Sequence, residues 1–428
     1  MALTNSKLSV SIIVLSFLNF TLIYGQDWNP NDTLKTTDDK ENRIDDFRDN
    51  MIDWTGQDLV DASFPKSWPL FGTKSRMAIG GYAKLDYIQD FDGSYDRFQY
   101  EIQNVPIEGD GRTPQSGYMN MHARESRFNV DVRTITKTGM PIRVFFELDF
   151  YNLERAPFNQ TARLRHFYGV LGRLLVGRTW GTQSDLYGIP STIDFAAGDA
   201  LTGTRRAQIR FEDKINEKFN YAFALEMMEY PGIDGDSLGG QASMQLPILV
   251  GRITRTTSSG GRLFLGASAF QLRWDGQSSG PDATAFGWGV NFSGREYFGK
   301  KHYFRWMASY GYGWGSNIVA TLGTTASAIL TPDGKMETMP AWNLGGGVAL
   351  NISPTLVTNI NTNWFGLDPS EYRSKDKIKL GGSGHINLIW SPYKSVNTGI
   401  EFMTLYRENG DGKSGVGTRL QLMIKYLF

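Results

Sequence analysis

From Met77 to the C terminus, apolar and polar residues alternate with a period of two in one segment of the chain after another. The last segment shows this alternation most clearly. One of its faces carries Thr418, Leu420, Leu422, Ile424, Tyr426 and Phe428, and the other carries Arg419, Gln421, Met423, Lys425 and Leu427. Strands that are apolar on one face and mostly polar on the other suit a sheet that separates lipid from water. The pattern therefore predicts an all-β chain that closes into a transmembrane antiparallel β-barrel.

The number of alternating segments predicts the size of this barrel. We find about sixteen, an even number that lets a closed antiparallel barrel begin and end on the same side of the membrane. They begin near Met77, Glu125, Ile142, Arg163, Leu174, Arg205, Asn220, Ile248, Arg262, Ala285, His302, Ala341, Thr355, Lys377, Asn397 and Gly415. Long connections at 91–121, 181–204, 230–246 and 314–340 alternate with tight turns, as expected of long outer loops and short periplasmic turns. A barrel of this size leaves an aqueous channel in its interior.

Composition excludes several classes of function. Lysine plus arginine and aspartate plus glutamate both number 44, so the chain has no basic excess with which to bind nucleic acid. It has no cysteine and therefore no disulfide, zinc-thiolate site or thiol nucleophile. Hydrophobic residues make up only 40% although aromatic residues reach 13%, which fits strands whose lipid-facing and water-facing positions average out.

The first 25 residues have the pattern of a secretory signal peptide. Lys7 precedes the apolar stretch 8–24, and the small residue Gly25 precedes a strongly polar segment. The alternative is an uncleaved membrane anchor. We favour cleavage because a polar segment follows directly and no second helical span occurs downstream.

The remaining chain divides into two parts in this prediction. Residues 26–74 form a polar periplasmic segment and linker, and residues 75–428 form the barrel. A short helix in the polar segment is predicted from the spacing of Ile44, Phe47, Met51 and Trp54. The predicted location of the mature protein is the outer membrane of a Gram-negative bacterium, with outer-membrane lipid as a partner.

Cations concentrate on the predicted inward face of the first six strands. They are Lys84, Arg127, Arg133, Arg143, Arg163, Arg165, Arg178, Arg206 and Arg210. Fixed guanidinium groups in a narrow pore attract small anions, and their fork geometry suits carboxylate and phosphate. Alternatively, these cations pair with the inward acids Asp86, Asp131, Glu147 and Asp149. We expect both, with structural pairs low in the barrel and a few unpaired arginines at the constriction.

The third outer connection, residues 181–204, is the candidate constriction loop. It carries Asp185, Tyr187, Pro190, Asp194, Phe195 and Asp199. In a porin this loop commonly folds inward and sets the bore. The alternative is an outward surface loop, because glycines and acidic residues suit either position.

Several motifs in the first third of the barrel resemble those of the DcaP-like outer-membrane porins. They are Gly80-Gly81-Tyr82-Ala83-Lys84-Leu85-Asp86, Ser126-Arg127-Phe128, Phe146-Glu147-Leu148-Asp149-Phe150, Arg163-Leu164-Arg165-His166-Phe167-Tyr168-Gly169 and Gly177-Arg178-Thr179-Trp180. The order and spacing of these motifs are more specific than any one of them.

This resemblance implies a homotrimer of sixteen-stranded barrels that takes up small dicarboxylic or aromatic acids. It places the arginines of the constriction at Arg127, Arg165, Arg178, Arg206 and Arg210. The chain departs from the family in its short N-terminal segment and at Arg178, where many members have glutamine. The predicted function is passive diffusion of small polar, preferentially anionic solutes.

Two other classes of function remain open from the residues alone. An outer-membrane hydrolase needs a nucleophile and a base, and the only imidazoles are His122, His166, His302 and His385. No serine and histidine arrangement stands at local spacing, so we expect no catalysis. A structural or adhesive barrel with a plugged lumen is the second alternative, and electrical conductance separates it from a porin.

No cofactor or metal is expected. The sequence contains neither the zinc-binding HExxH motif nor an EF-hand calcium loop. The nearest approach to a cation site is the loop pair Asp234 and Asp236, and two loop carboxylates are usually just solvated. We also find no glycine-rich nucleotide loop, so diffusion down a gradient is the expected mechanism.

Overall fold

A computed structural model of the protein describes residues 67–70, 75–109, 116–151, 161–196, 199–235, 238–278, 280–299 and 301–428. The predicted signal peptide, most of the predicted periplasmic segment and its helix candidate lie outside these residues. The boundaries predicted for these parts therefore stay predictions.

The described chain forms a closed barrel of sixteen antiparallel strands, which confirms the predicted fold. The strands are β1 (Arg76–Asp90), β2 (Met119–His122 and Arg127–Ile135), β3 (Pro141–Asp149), β4 (Arg163–Leu171), β5 (Leu174–Trp180), β6 (Arg205–Lys214), β7 (Phe219–Glu226), β8 (Ile248–Thr256), β9 (Arg262–Asp275), β10 (Ala283–Phe298), β11 (His302–Tyr312), β12 (Pro340–Ser353), β13 (Leu356–Leu367), β14 (Ile378–Tyr393), β15 (Val396–Asn409) and β16 (Ser414–Leu427). Each strand pairs with the next, and β1 pairs with β16 from Tyr82 opposite Leu427 to Asp90 opposite Arg419. This last pairing closes the barrel and leaves no open edge.

Small elements complete the described structure. Trp68–Pro69 pairs with β1, and Gln241–Ser243 pairs with β9. A three-stranded sheet in the outer loops consists of Ile233–Asp234, Ala328–Leu330 and Met336–Thr338. Among the described residues, no helix is long and apolar enough to cross a membrane.

The two faces of the strands differ as the alternation predicts. Large apolar side chains such as Phe286, Leu344 and Leu249 are exposed on the outward face, where lipid surrounds an outer-membrane barrel. Turns of a few residues join the strands at the periplasmic end, and the long connections stand at the outer end. The connection 181–204 is the third of these outer loops.

The interior has two different regions. We call the inward side chains of β2–β6 the basic arc, because the predicted arginines lie there. The inward side chains of β7–β15 pack in their outer half against the loops as one apolar cluster, the apolar arc, which includes Phe270, Leu272, Trp314, Ile318 and Phe365. The same strands also carry inward polar residues such as Asn291, Asn361 and Glu401, so the apolar cluster is confined to part of this wall. Loops fill it as the core of a soluble protein is filled.

Candidate functional site

The loop 181–204 lies inside the barrel, and side chains of the wall hold it by its backbone. Asn291 on β10 donates a hydrogen bond to the carbonyl oxygen of Gln183 at 3.0 Å. Asn361 on β13 and Asn387 on β14 both donate to the carbonyl oxygen of Ser191, at 3.1 and 3.0 Å. Backbone groups buried inside a protein need such partners.

Two charged residues hold the next part of the loop. The backbone N–H groups of Ile193 and Asp194 donate to the two carboxylate oxygens of Glu401 on β15, each at 2.9 Å. Lys84 on β1 donates to the carbonyl oxygen of Ile193 at 2.8 Å. The loop thus follows the inner wall from β10 through β13–β15 to β1, next to the basic arc. Its inward position agrees with the prediction, and its role as a constriction stays a prediction.

Acidic side chains of the loop are buried against the wall. Asp185 accepts a hydrogen bond from the Ser293 hydroxyl at 2.7 Å. Asp194, which lies in the loop and not in a membrane-spanning strand, accepts from the Ala196 N–H at 3.0 Å. Burial, together with the nearby charge of Glu401, raises the pKa of Asp194 to about 7. These two acids fasten the loop to the wall.

The ring of Phe195 is the point where the loop meets the basic arc. It stacks on Tyr151 with ring centroids 4.3 Å apart and planes inclined by 16°. The guanidinium groups of Arg163 and Arg165 lie 5.3 and 5.6 Å from the centroid of Phe195. Tyr187, nearer the loop tip, instead lies between Arg262 and Arg295 on the other wall, at 4.8 and 4.3 Å. Contacts between guanidinium groups and aromatic faces are favourable in both places.

Three arginines of the basic arc share two carboxylates beside Phe195. Arg165 contacts Glu147 at 2.7 Å and Asp149 at 2.6 Å. Arg163 contacts the same Asp149 at 2.7 Å, and Arg127 lies 3.8 Å from Glu147. Positive charge therefore exceeds negative charge in this group.

Arg205, which the sequence analysis did not single out, adds a fourth guanidinium group. It is half-buried at the start of β6 with its guanidinium carbon 4.7 Å from the centroid of the Trp180 ring. It is close enough to Arg163 and Arg165 for their charges to interact. Among the described residues, no carboxylate oxygen lies within ion-pair distance of Arg205. We define Arg127, Arg163, Arg165 and Arg205 as the arginine cluster.

Three other predicted cations pair in the periplasmic half or the middle of the wall. Arg143 contacts Asp131 at 2.7 Å, and its neighbour Arg133 contacts the same carboxylate at 2.8 Å. Lys84 contacts Asp86 at 3.1 Å and also forms an ion pair with Glu125. These groups agree with the expected structural pairs.

The two predicted cations on β6 also have partners. Arg206 lies 3.5 Å from Glu226 and donates to the side-chain oxygen of Asn317 at 2.7 Å. Arg210 lies 3.6 Å from Glu212. Both point inward, but neither lies among the four residues of the arginine cluster.

Arg178 is placed differently from the prediction. It lies in register with Phe167 on β4 and Ala207 on β6, both of which are exposed on the outward face. Its guanidinium group forms an ion pair with Glu229, in the loop after β7. The predicted inward position of Arg178 is thus wrong. Alternation gives Arg205 the same side as Ala207, but Arg205 lies at the strand end, where its guanidinium group contacts Trp180 and lies near Arg163 and Arg165.

A β-bulge in β4 explains why Arg165 and His166 both point inward. Glu147 pairs with His166, but its neighbour Leu148 pairs with Leu164, so Arg165 is the extra residue. His166 Nδ1 lies 2.9 Å from the Thr179 hydroxyl, and its Nε2 lies 3.9 Å from Glu147. This group is the nearest approach to a nucleophile, base and acid arrangement. All three side chains are buried, so it lacks the substrate access that hydrolysis needs.

The other candidate sites carry little chemistry. Asp234 accepts from Lys377 at 2.6 Å, which neutralises the carboxylate singled out as a weak cation ligand. Its predicted companion Asp236 lies outside the described residues. In the part of the chain that the structure describes, no three histidine or acidic residues are grouped so that they could hold a metal ion.

Comparison with known proteins agrees with this architecture. The model of the DcaP outer membrane protein family matches residues 62–247, which confirms the resemblance predicted from the motifs. None of the curated proteins compared with the chain matches it significantly. The family match and the closed barrel place the chain in the outer membrane of a Gram-negative bacterium.

Solved structures show the same fold. The outer membrane channel DcaP of Acinetobacter baumannii is 21% identical, with a TM-score of 0.73 over 84% of this chain and 100% of that chain. Salmonella typhi OmpF, in complex with daunomycin, is 10% identical, with a TM-score of 0.53 over 84% of this chain and 99% of that one. The trimer form of Vibrio cholerae OmpT is 9% identical, with a TM-score of 0.51 over 83% and 100%. At these identities the likeness establishes the fold alone.

Proposed function

We propose that this DcaP-type outer-membrane channel is a passive, anion-selective porin whose selectivity comes from the arginine cluster. The observation that supports the proposal is an excess of positive charge where the inserted loop meets the wall. Four guanidinium groups, those of Arg127, Arg163, Arg165 and Arg205, face only two carboxylates, those of Glu147 and Asp149. With the neighbouring Lys84, Asp86 and Glu125 included, one positive charge still remains in excess.

The surroundings of the cluster strengthen its field. The apolar arc and the buried loop replace water on the opposite side of the lumen with a medium of low dielectric constant. Fixed charges lining a cleft with such walls raise the local concentration of counter-ions. Arg163 and Arg205 are half-buried and reach solvent, so a passing anion can contact them.

The chemistry of the cluster favours carboxylates as solutes. A guanidinium group presents two parallel N–H donors that match the two oxygens of a carboxylate. The aromatic faces of Phe195, Tyr151 and Trp180 stand beside these donors and suit acids that carry a flat apolar body. We therefore propose small mono- and dicarboxylic acids, including aromatic acids, as solutes of the channel.

We also propose that the protein functions as a homotrimer. Vibrio cholerae OmpT, which shares the fold, has been solved in a trimer form. A closed ring of three identical copies is a common symmetry for oligomers that lie in one plane.

Planar-bilayer recordings of the purified protein test the proposed selectivity. In a tenfold gradient of potassium chloride, the reversal potential should show preference for chloride. Substitution Arg205→Gln should lower the anion-to-cation permeability ratio about tenfold, because one unit charge at about 6 Å in water stabilises an anion by about 0.7 kcal/mol and destabilises a cation by as much. Arg178→Gln is the matched control, since Arg178 lies on the outward face with Glu229.

The outcomes separate the candidate functions. Anion preference that falls in Arg205→Gln and persists in Arg178→Gln supports the proposal, as does block of the current by an added dicarboxylate such as succinate. Equal loss in both variants would assign selectivity to overall charge and contradict a role of the cluster. A barrel that never conducts would favour the structural or adhesive alternative.

A further inference from the structure

We propose that the acidic segment before the barrel, residues 26–66, binds in the periplasmic mouth of its own barrel, against a row of three arginines on β9–β11. The segment then acts as a tethered negative charge that competes with anionic solutes for the cationic wall. This inference goes beyond the selectivity proposed above and does not depend on it. It is supported by the arginine row, by the division of charge along the chain and by the point where the segment ends.

The arginine row consists of Arg262, Arg295 and Arg305, which point inward from three adjacent strands. Arg262 pairs with Arg295 across β9 and β10, and Arg295 pairs with Arg305 across β10 and β11. The row lies near the periplasmic mouth, because Arg262 begins β9 and Arg305 is the fourth residue of β11. Like charges directly opposite each other in a sheet repel, so negative charge beside the row is stabilising.

The row also contacts the inserted loop. The ring of Tyr187 lies on Arg262 and Arg295, and Arg305 donates a hydrogen bond to the carbonyl oxygen of Ile189. Both of these loop groups are uncharged. They position the guanidinium groups without supplying negative charge.

The periplasmic half of this wall is positive when its charged groups are counted together. On the neighbouring strands β6 and β8, Arg210 and Arg252 share one carboxylate, that of Glu212. With the arginine row and the loop residue Asp185 included, five cations face two carboxylates among the described residues. This part of the wall therefore attracts further carboxylates.

The charge of the chain is divided unequally at the start of the barrel. Residues 26–66 contain 11 acidic and 5 basic residues, which gives a net charge of −6. The whole chain has 44 of each kind and residues 1–25 contribute only Lys7, so residues 67–428 hold 38 basic and 33 acidic residues, a net charge of +5. The neutral total therefore conceals two oppositely charged parts that attract each other.

The segment ends where it can enter the mouth. Ser67, which follows it, accepts hydrogen bonds from Arg76, the first residue of β1, at 2.7 and 2.6 Å. Six strands separate β1 from β10 on one side and eight on the other, so the arginine row stands across the barrel from the end of the segment.

The length of the segment is sufficient to cross this distance. A barrel of sixteen strands that lie about 4.8 Å apart is about 30 Å wide. An extended chain covers about 3.3 Å per residue, so about nine residues span the mouth. Asp58 lies nine residues before Ser67, and Asp53 lies five residues further back.

The residues at this distance have chemistry that suits the mouth. Trp54 directly follows Asp53. Beside the arginine row, the half-buried rings of Tyr297 and Tyr303 have centroids 5.6 Å apart. A carboxylate next to an aromatic side chain can pair with a guanidinium group while the ring packs on tyrosine. In this proposal, Asp53 and Asp58 lie closest to the arginine row.

Disulfide cross-linking provides the first test, because the chain has no cysteine of its own. Full-length Asp58→Cys/Tyr303→Cys, oxidised with copper phenanthroline in membranes, should form an intramolecular disulfide at least about fivefold faster than Asp58→Cys/Arg133→Cys. Arg133 is the matched control position, since it points inward at the same end of the barrel but pairs with Arg76, beside the end of the segment. Raising potassium chloride from about 0.05 to about 0.5 M should slow the reaction at 303, because salt screens the attraction.

Charge neutralisation in the intact chain provides the second test. A charged segment attached at one mouth enters the electric field from that side only, so channel closures should be more frequent at one voltage polarity. Asp53→Asn/Asp58→Asn should reduce the excess closures about fivefold, because two charges about 8 Å from the arginine row are lost. The matched control, Asp213→Asn/Glu217→Gln, removes two carboxylates from the periplasmic end of β6 and the turn after it. It should keep the difference between polarities.

Each outcome supports or overturns the proposal. Cross-linking that is equal at both positions or faster at 133, in barrels shown to be folded by heat-dependent migration in gels, would show that the segment stays at its exit. A disulfide between two chains would assign the occupant to a neighbouring copy and overturn binding to the segment's own barrel. Closures that keep their polarity in Asp53→Asn/Asp58→Asn would show that the segment does not cause them. Cross-linking needs no current, so failure of the proposed anion selectivity leaves this test intact.

Discussion

The basic arc and the apolar arc are parts of one continuous barrel wall, yet their inward side chains are stabilised by different contacts. In the basic arc, cations and carboxylates of neighbouring strands pair, as Arg165 does with Glu147 and Asp149. In the apolar arc, loop residues such as Trp314 and Ile318 pack against inward side chains of the strands. The inward face of this barrel is thus not uniform.

This difference assigns separate tasks to the two arcs. The apolar arc limits the open cross-section, because packed side chains exclude water and ions. In the proposed function, the arginine cluster sets the preference for anions, because its carboxylates do not balance its guanidinium groups. If this division is correct, changes in one arc should alter conductance and changes in the other should alter selectivity.

The largest effect is expected from Trp314→Ala, which removes a fully buried side chain from the apolar arc. Truncating a buried tryptophan costs about 3–5 kcal/mol, and here it also breaks the hydrogen bond from the indole N–H to Ser309 at 2.9 Å. Single-channel conductance should rise while the anion-to-cation permeability ratio stays unchanged. Trp364→Ala, on the outward face, is the control. A change in selectivity without a change in conductance would refute the division of tasks.

A smaller effect is expected from pH, through Asp194. Its pKa is raised from 3.8 to about 7 in the docked loop, so the loop binds a proton that the released loop would not hold. The stability of the docked loop is therefore greatest below pH of about 4, falls as pH rises towards 7, and is constant above that.

Channel recordings at several pH values measure this effect. The frequency of loop-opening events should rise by at most about tenfold per pH unit up to pH 7, since one unit corresponds to about 1.4 kcal/mol. Asp194→Asn should make the frequency independent of pH over this range. A pH dependence that persists in Asp194→Asn would assign the titration to another group, with His385 and Glu401 the neighbours to change next.

The smallest effect is expected from Phe195→Leu, at the contact between the loop and the basic arc. The substitution keeps an apolar side chain but removes the stacking on Tyr151 and the contacts with Arg163 and Arg165. Aromatic pairs contribute about 0.5–1.5 kcal/mol, so loop openings should become about two to ten times more frequent. Tyr187→Leu, at the other wall, gives a comparison. Equal effects would show that the arcs hold the loop equally.

Much of the fold could be predicted from the sequence because alternation is a local property. The two faces of β16 and the number of strands follow from residue order alone. The inward orientation of Arg143 and Arg163 follows in the same way, and Asp131 and Asp149 on the same face lie opposite or beside them.

The composition of the candidate site could not be predicted in this way, because it depends on departures from alternation and on contacts between residues that are distant in the sequence. The sequence does not reveal the bulge at Arg165. An arginine of β4 lies next to an acidic residue of β3 whether or not β4 contains the extra residue. The alternation of β6 favoured Arg206 and passed over Arg205, whose neighbours lie on four other strands. The apolar arc did leave a signal, since Phe270, Leu272 and Trp274 interrupt the polar inward face of β9.

The attachment of the inserted loop has a consequence for how such channels diversify. Asn291, Asn361, Asn387, Lys84 and Glu401 all bind backbone groups of the loop, which every residue possesses. Point mutations within much of the loop can therefore change the side chains that face a solute without detaching the loop from the wall. Homologous channels with the same wall residues could therefore evolve different solute preferences through point mutations in this loop, while the barrel stays unchanged.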